Sequence, residues 1–146
     1  MQVRSCWSVL TKKAKDEEET AQIALAQAAK KVQDLEASLA RMNTLLQEYK
    51  EKAITAQASL HSMAQTANSR QFILQLQDLV SRVEQDKIQA LAAYERNKMG
   101  LNQATHQRMK METMQEKDAQ TVKTWERKRD QKEMDSLGLT LYNLKA

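Results

Sequence analysis

The sequence predicts an all-α chain: a long antiparallel two-helix coiled-coil hairpin in which the C-terminal part of the second helix overhangs. Three observations carry that expectation. The 146 residues include no proline and only two glycines, so little interrupts a helix. Nineteen alanines and seventeen glutamines stand beside only six aromatics, a composition that suits long helices better than a globular core. Apolar residues also recur every 3.5 positions through the first half of the chain.

The first helix is expected over about residues 5–57, capped by Ser5 or Ser8. Its seam, read in alternating steps of four and three, is Ala21, Leu25, Ala28, Val32, Leu35, Leu39, Met42, Leu46, Tyr49, Ala53, Ala56, Leu60, Met63 and Ala67. All fourteen positions are apolar. Such spacing keeps one stripe against a partner helix and imposes a left-handed supercoil. Ahead of it, Lys12, Lys13 and Lys15 precede Asp16-Glu17-Glu18-Glu19. Opposite charges four apart, such as Lys12 and Asp16, support a solvated helix, and a wet face is the plain account of this block.

A turn is expected at about 58–64, where Thr55, Ser59, His61, Ser62, Thr66, Asn68 and Ser69 cluster. Ser62 with Gln65, and Asn68 with Gln71, offer two capping-box-like helix starts. The seam runs through this window unbroken, so an uninterrupted helix paired with another chain is the competing reading.

The second helix is expected over about 65–136. Its looser seam is Ile73, Leu76, Val80, Val83, Ala90, Tyr94, Leu101, Ala104 and Met111, interrupted by Lys87, Asn97 and Arg108. Gly100 costs roughly 1 kcal/mol relative to alanine and allows a local bend. Gly138 suits a helix stop, which leaves a tail over 137–146 and one helical domain over 1–146. With the reversal centred near residue 61, residue i faces residue 122 − i, and residues beyond about 118 find no partner within the chain. At 1.5 Å per residue that is a paired rod of roughly 80 Å with an overhang of roughly 25–30 Å. A poorly apolar overhang is marginal as a lone helix and is expected to order against something else.

Apolar surface exceeds what one seam uses. Phe72 and Leu79 lie off the seam of the second helix, and Leu45 sits beside the seam residue Leu46 on the first. Such residues either shield the seam or form a docking patch.

Other classes fall away. Apolar runs such as Ile23 to Ala26 are far short of the ~20 residues of a membrane span, and no stretch of signal-peptide length follows Arg4. The single Cys6 makes no internal disulfide and fits a reducing cytoplasm. Two isolated glycines build no phosphate loop, and His61, His106 and Cys6 lack metal-ligand spacing. Carboxylates on open helix have nothing to shift their pKa values. No enzyme activity and no cofactor are therefore expected. The net charge of +4 is mild. Arg127-Lys128-Arg129 is surrounded by Glu126, Asp130, Glu133 and Asp135, which disfavours nucleic acid.

Three segments resemble one known family. Leu46-Gln47-Glu48-Tyr49-Lys50 is similar to a Glu-Tyr-basic segment in the first helix of the flagellar export protein FliJ family. Gln71-Phe72-Ile73 followed by Leu76 resembles the family's Gln-Phe-Ile-x-x-Leu start of the second helix. Asp130-Gln131-Lys132-Glu133-Met134-Asp135 resembles its Asp-Gln-Lys-x-Met-Asp run. Virulence-type secretion stalk proteins share the architecture, and a generic homodimeric coiled-coil scaffold is the rival from another class.

The resemblance implies a non-enzymatic, stalk-like coiled coil of the bacterial flagellar protein export apparatus, serving motility. It implies that the helix termini enter the hexamer of the export ATPase and promote its assembly. The other end of the hairpin would meet the cytoplasmic domain of the export gate membrane protein, with escort of export chaperones a further implied role. Export would thereby be coupled to the proton gradient. The location implied is cytoplasmic, peripherally associated with the inner membrane. Gate-binding positions of the family correspond to Tyr49, Phe72 and Leu76, and Met42, Leu45, Leu79 and Val83 continue those stripes. Ser38 is too short to extend them. Lys12, Lys13, Arg127 and Lys132 are the candidates for contact with ring carboxylates.

Overall fold

The computed structural model describes residues 2–58 and 63–145. They form two α-helices, α1 (Ser5–Ala58) and α2 (Met63–Lys145), which pack antiparallel. Among the described residues there is no strand, no cis peptide and no residue with positive φ. The expected turn at 58–64 falls largely on residues 59–62, which lie outside the described residues.

One boundary differs from expectation. α2 continues through Gly138 to Lys145, so residues 137–145 are helix and not tail. A glycine ends a helix when it takes a left-handed conformation that lets the chain turn away. Gly138 keeps negative φ, and Leu137, Leu139 and Leu141 around it are good helix formers. Gly100 is likewise carried inside α2.

The chain divides into two compact units, one of Gln22–Gly100 and one of Met1–Ala21 with Leu101–Ala146. In a two-helix coiled coil each level touches only its neighbours, so no shared core need join distant levels. In the unit of Gln22–Gly100, the less exposed α1 positions include Ala21's successors Leu25, Ala28, Val32, Leu35, Leu39, Met42, Leu46, Tyr49, Ala53 and Ala56. Those of α2 include Thr66, Ser69, Ile73, Leu76, Val80, Val83, Lys87, Ala90, Tyr94 and Asn97, again in steps of three and four. Leu39, Leu76, Val80 and Ala90 are buried, each 5 to 9% exposed. Full burial of a Leu or Val side chain stabilises by about 1.5–3 kcal/mol. Lys87, expected to interrupt the seam, occupies it with its ammonium 3.6 Å from Glu36 across the helices. Its aliphatic stem covers the seam while the charge reaches solvent.

In the terminal unit the same stepping continues, on α1 upstream of the expected seam and on α2 through the expected Leu101, Ala104 and Met111 and beyond. Trp7, Thr11, Ala14 and Glu18 on α1 take the 4-3 positions, and Leu101, Ala104, Arg108, Met111, Gln115, Asp118 and Val122 take them on α2. Thr11 is 4% exposed and satisfies its hydroxyl by donating to the Trp7 carbonyl at 2.7 Å. Arg108 donates to Glu18 across the seam and to Glu112 at 2.9 Å along its own helix. Lys15 lies 3.8 Å from Glu112. At the start of α1 the Arg4 backbone N–H donates to the Asp118 carboxylate at 2.8 Å.

The cross-helix partners stay within about five residues of the expected register, Lys15 with Glu112 summing highest at 127. Residue numbers sum to 122 for Arg4 with Asp118, 126 for Glu18 with Arg108, 123 for Glu36 with Lys87 and 121 for Tyr49 with Phe72. Packing extends slightly past the expected limit of 118, since Val122 is the last buried residue of α2. Every described residue from 123 to 145 is exposed. The overhang is therefore 23 residues, roughly 35 Å of helix.

Candidate docking surfaces

Within the unit of Gln22–Gly100, heptad positions flanking the seam differ sharply on its two sides. On one flank stand Leu45 and Lys52 of α1 with Phe72 and Leu79 of α2. Leu45, Phe72 and Leu79 are 38%, 38% and 44% exposed. Tyr49, a half-buried seam residue, meets Phe72 with ring centroids 4.4 Å apart and a 37° tilt. Tilted aromatic pairs of this kind add about 0.5–1.5 kcal/mol beyond burial and hold both rings in place. Lys52 places its ammonium 5.5 Å from the Tyr49 ring centroid, within cation–π range. A shallow groove lined by Glu48, Tyr49, Lys52, Thr55 and Ser69 runs beside this stack.

The gate candidates thus separate by position. Phe72, Leu45 and Leu79 present apolar surface to solvent, whereas Met42, Tyr49 and Val83 are half-buried in the seam. Leu76, only 7% exposed, is part of the core and has little side chain left to offer a partner. Leu74 and Ile88 are also open, at positions outside both flanks and outside the candidate set.

In the terminal unit Lys12 and Lys13 are exposed on α1, with Lys13 4.0 Å from Glu17. The pairing of Lys12 with Asp16 expected from spacing is not among the ion pairs formed. Arg127 and Lys132 are exposed on the overhang. Lys13 lies at the level of residues near 110 on α2, so Arg127 is more than about 20 Å further along the helix. These basic candidates form two separate groups. Trp125 lies in the second, with the Arg129 guanidinium 5.2 Å from its ring centroid and Lys128 and Lys132 on the same face.

Among the described residues Arg108 is the one group whose ionisation is clearly displaced. Hydrogen bonds to Glu18 and then Glu112 hold its guanidinium above the ordinary arginine value. The bonds favour the charged form, so this layer is a fixed cation between two carboxylates. Among the described residues no three His, Cys, Asp or Glu side chains group to hold a metal ion, and no helix is long and apolar enough to cross a membrane.

Sequence reasoning missed the upstream seam of Trp7, Thr11, Ala14 and Glu18. Stepping back by three and four from Ala21 finds it, provided polar residues are admitted at seam positions. It also missed Met134, Leu137, Leu141 and Leu144, whose 3-4-3 spacing is visible in the sequence.

No curated protein and no solved structure matches this chain. The model of the flagellar FliJ protein family matches residues 8–146. An all-α antiparallel pair of long helices, matched by that model over nearly its whole length, belongs to the flagellar FliJ protein family and so is a component of the flagellar export apparatus.

Proposed function

We propose that the chain is a non-enzymatic, stalk-like element that links the flagellar export ATPase to the export gate. One observation carries the gate half: the exposed Phe72, Leu45 and Leu79 share a flank of the seam with the Tyr49–Phe72 stack. Side chains that leave apolar surface open to solvent while their own packing holds them rigid make good anchors for a partner. The cytoplasmic domain of the export gate membrane protein docks on this flank. Met42, Val83 and Leu76 shape it from beneath by setting the seam.

The ATPase half rests on the terminal unit. Lys12 and Lys13 on α1, and Arg127 and Lys132 on α2, meet carboxylates of the ATPase hexamer. Binding to several subunits of an assembled ring, and not to free subunits, favours assembly by mass action. The protein works in the cytoplasm, held peripherally at the inner membrane by these partners, and also hands over export chaperones. Its contribution to coupling export to the proton gradient is mechanical.

The decisive experiment is Phe72→Ala in calorimetric titration against the purified gate domain. A loss of about tenfold or more in affinity is expected, with helix content unchanged. Unchanged affinity removes the gate assignment. Deleting residues 124–146 should abolish stimulation of the ATPase and spare the seam, which ends at Val122.

A further inference from the structure

The start of α1 lacks the residues that ordinarily begin a helix. α1 opens at Ser5, which puts Arg4 at the N-cap position and Trp7 at the third position of the helix. A capping box needs Ser or Thr at the first of these and Glu or Gln at the second. Arg4 brings no side-chain acceptor, Trp7 brings no carboxylate, and no residue of the first turn is acidic. Ser5 and Ser8, the expected caps, both lie inside α1. A start of this kind is marginal by itself, because its first N–H groups have no partner within the helix.

α2 supplies what the first turn of α1 lacks. The Asp118 carboxylate accepts the Arg4 backbone N–H at 2.8 Å, and its second oxygen lies 3.8 Å from the Arg4 guanidinium. The Glu of a capping box makes this same bond to the N-cap N–H, but here it comes from 114 residues further along the chain. The two contacts are unequal. The Asp118 side chain is 13% exposed and that of Arg4 68%. Solvent therefore screens the ion pair, and the charge-assisted bond to the backbone is the stronger of the two. A carboxylate in this place also meets the positive end of the α1 dipole.

Further contacts build on that first one. The Trp7 N–H donates to the Arg4 carbonyl at 3.3 Å, and the Trp7 carbonyl accepts the Thr11 hydroxyl at 2.7 Å. Thr11 and Ala14 follow as buried residues. On α2, Asp118 takes a seam position one turn before Val122, the last buried residue. The turn of α2 that caps α1 is thus the turn from which the overhang departs.

We propose that Asp118 is a positioning residue that caps α1 in trans. The first turns of α1 are then helical only while they are docked on α2. That fixes Lys12 and Lys13 in relation to the overhang carrying Arg127 and Lys132. The capping stands on the geometry alone. Its consequence for the export ATPase rests on the function proposed above.

The test uses the full chain with Asp118→Ala, Asp118→Asn, and Asp118→Ala combined with Arg4→Asp. Asp118→Ala should raise amide exchange in residues 5–14 about fivefold and leave residues 22–100 unchanged. Asp118→Asn keeps an acceptor without the charge and should fall between that variant and the parent. Adding Arg4→Asp restores an acceptor at the N-cap and should return the protection, although the seam position at 118 stays truncated. Unchanged exchange in Asp118→Ala overturns the capping. Protection that is lost and not returned by Arg4→Asp also overturns it, since Asp118 then acts through seam packing. Stimulation of the purified export ATPase should fall with Asp118→Ala and recover in the rescued chain. If exchange follows the expected pattern while stimulation never changes, the positioning role is overturned. A parent chain that does not stimulate the ATPase sinks the function proposed above and the positioning role with it, and the exchange result still decides the capping.

Discussion

Among the described residues between Gln22 and Gly100 the buried seam residues are Leu39, Leu76, Val80 and Ala90, and a single ion pair, Lys87 with Glu36, crosses the helices. In the terminal unit the buried residues are Thr11, Ala14 and Val122, and the helices are bridged by Arg4–Asp118, Lys15–Glu112 and Glu18–Arg108. Hydrocarbon alone closes most of the first seam, whereas ion pairs flank and interrupt a thinner apolar seam in the second. The difference teaches how one heptad pattern serves two ends. Apolar packing gives stability but little directional preference, whereas a buried or half-buried ion pair tolerates few alternative registers. In the terminal unit the half-buried Arg108–Glu18 pair adds a directional constraint on alignment that the unit of Gln22–Gly100 leaves mainly to apolar packing.

The largest effect should come from breaking the apolar seam. Leu76→Ala removes a buried side chain and is expected to cost about 2–3 kcal/mol in urea unfolding. Hydrogen exchange should rise first in residues 22–100. An equal rise across both units would show that they do not differ in what holds them.

Breaking the charged seam comes next. Arg108→Ala leaves Glu18 and Glu112 without their cation, and exchange should rise in residues 5–21 and 101–122 while 22–100 stays protected. Restoring the pair in reverse, with Glu18→Arg and Arg108→Glu together, should recover part of the protection. The folded-state value of Arg108 is raised, so its contribution is complete below the ordinary arginine value and is lost only as pH rises beyond it in strong alkali. Moving from about pH 7 to about pH 10 should therefore leave this guanidinium's contribution unchanged. A fall that is absent from the Arg108→Ala chain would contradict that.

Smaller effects sharpen the contrast. Phe72→Ala should cost about 1–2 kcal/mol in stability, less than a core truncation, because the ring loses its stack on Tyr49 but is already partly open to solvent. Gly100→Ala should stabilise by about 0.5–1 kcal/mol, since an added Cβ meets nothing within 4 Å. Gly138→Ala has the same free space but lies in the overhang. It should raise helix content there without moving the unfolding midpoint of either seam.

Much of this was legible from spacing. The 4-3 steps from Ala21 to Ala56 predicted the buried stripe of α1, and the rule pairing i with 122 − i predicted the Tyr49–Phe72 and Glu36–Lys87 levels. Lys87, Asn97 and Arg108 looked like interruptions because a hydropathy pattern has no means of pairing Arg108 with Glu18, ninety residues away. Of the candidate site, Phe72 and Leu79 were identifiable as off-seam residues. That Leu76 is shut into the core, while Phe72 beside it stacks on Tyr49 in the open, depends on rotation about the helix axis and the facing chain.

The sequence by itself determined that this chain is helical, where its apolar stripe lies and in what register its halves meet, because helix propensity and periodicity act locally and additively. Only the tertiary structure decided which charges share the seam, where packing stops at Val122, and which apolar side chains remain uncovered. Those outcomes depend on what stands opposite each residue, and that is settled when the second helix arrives.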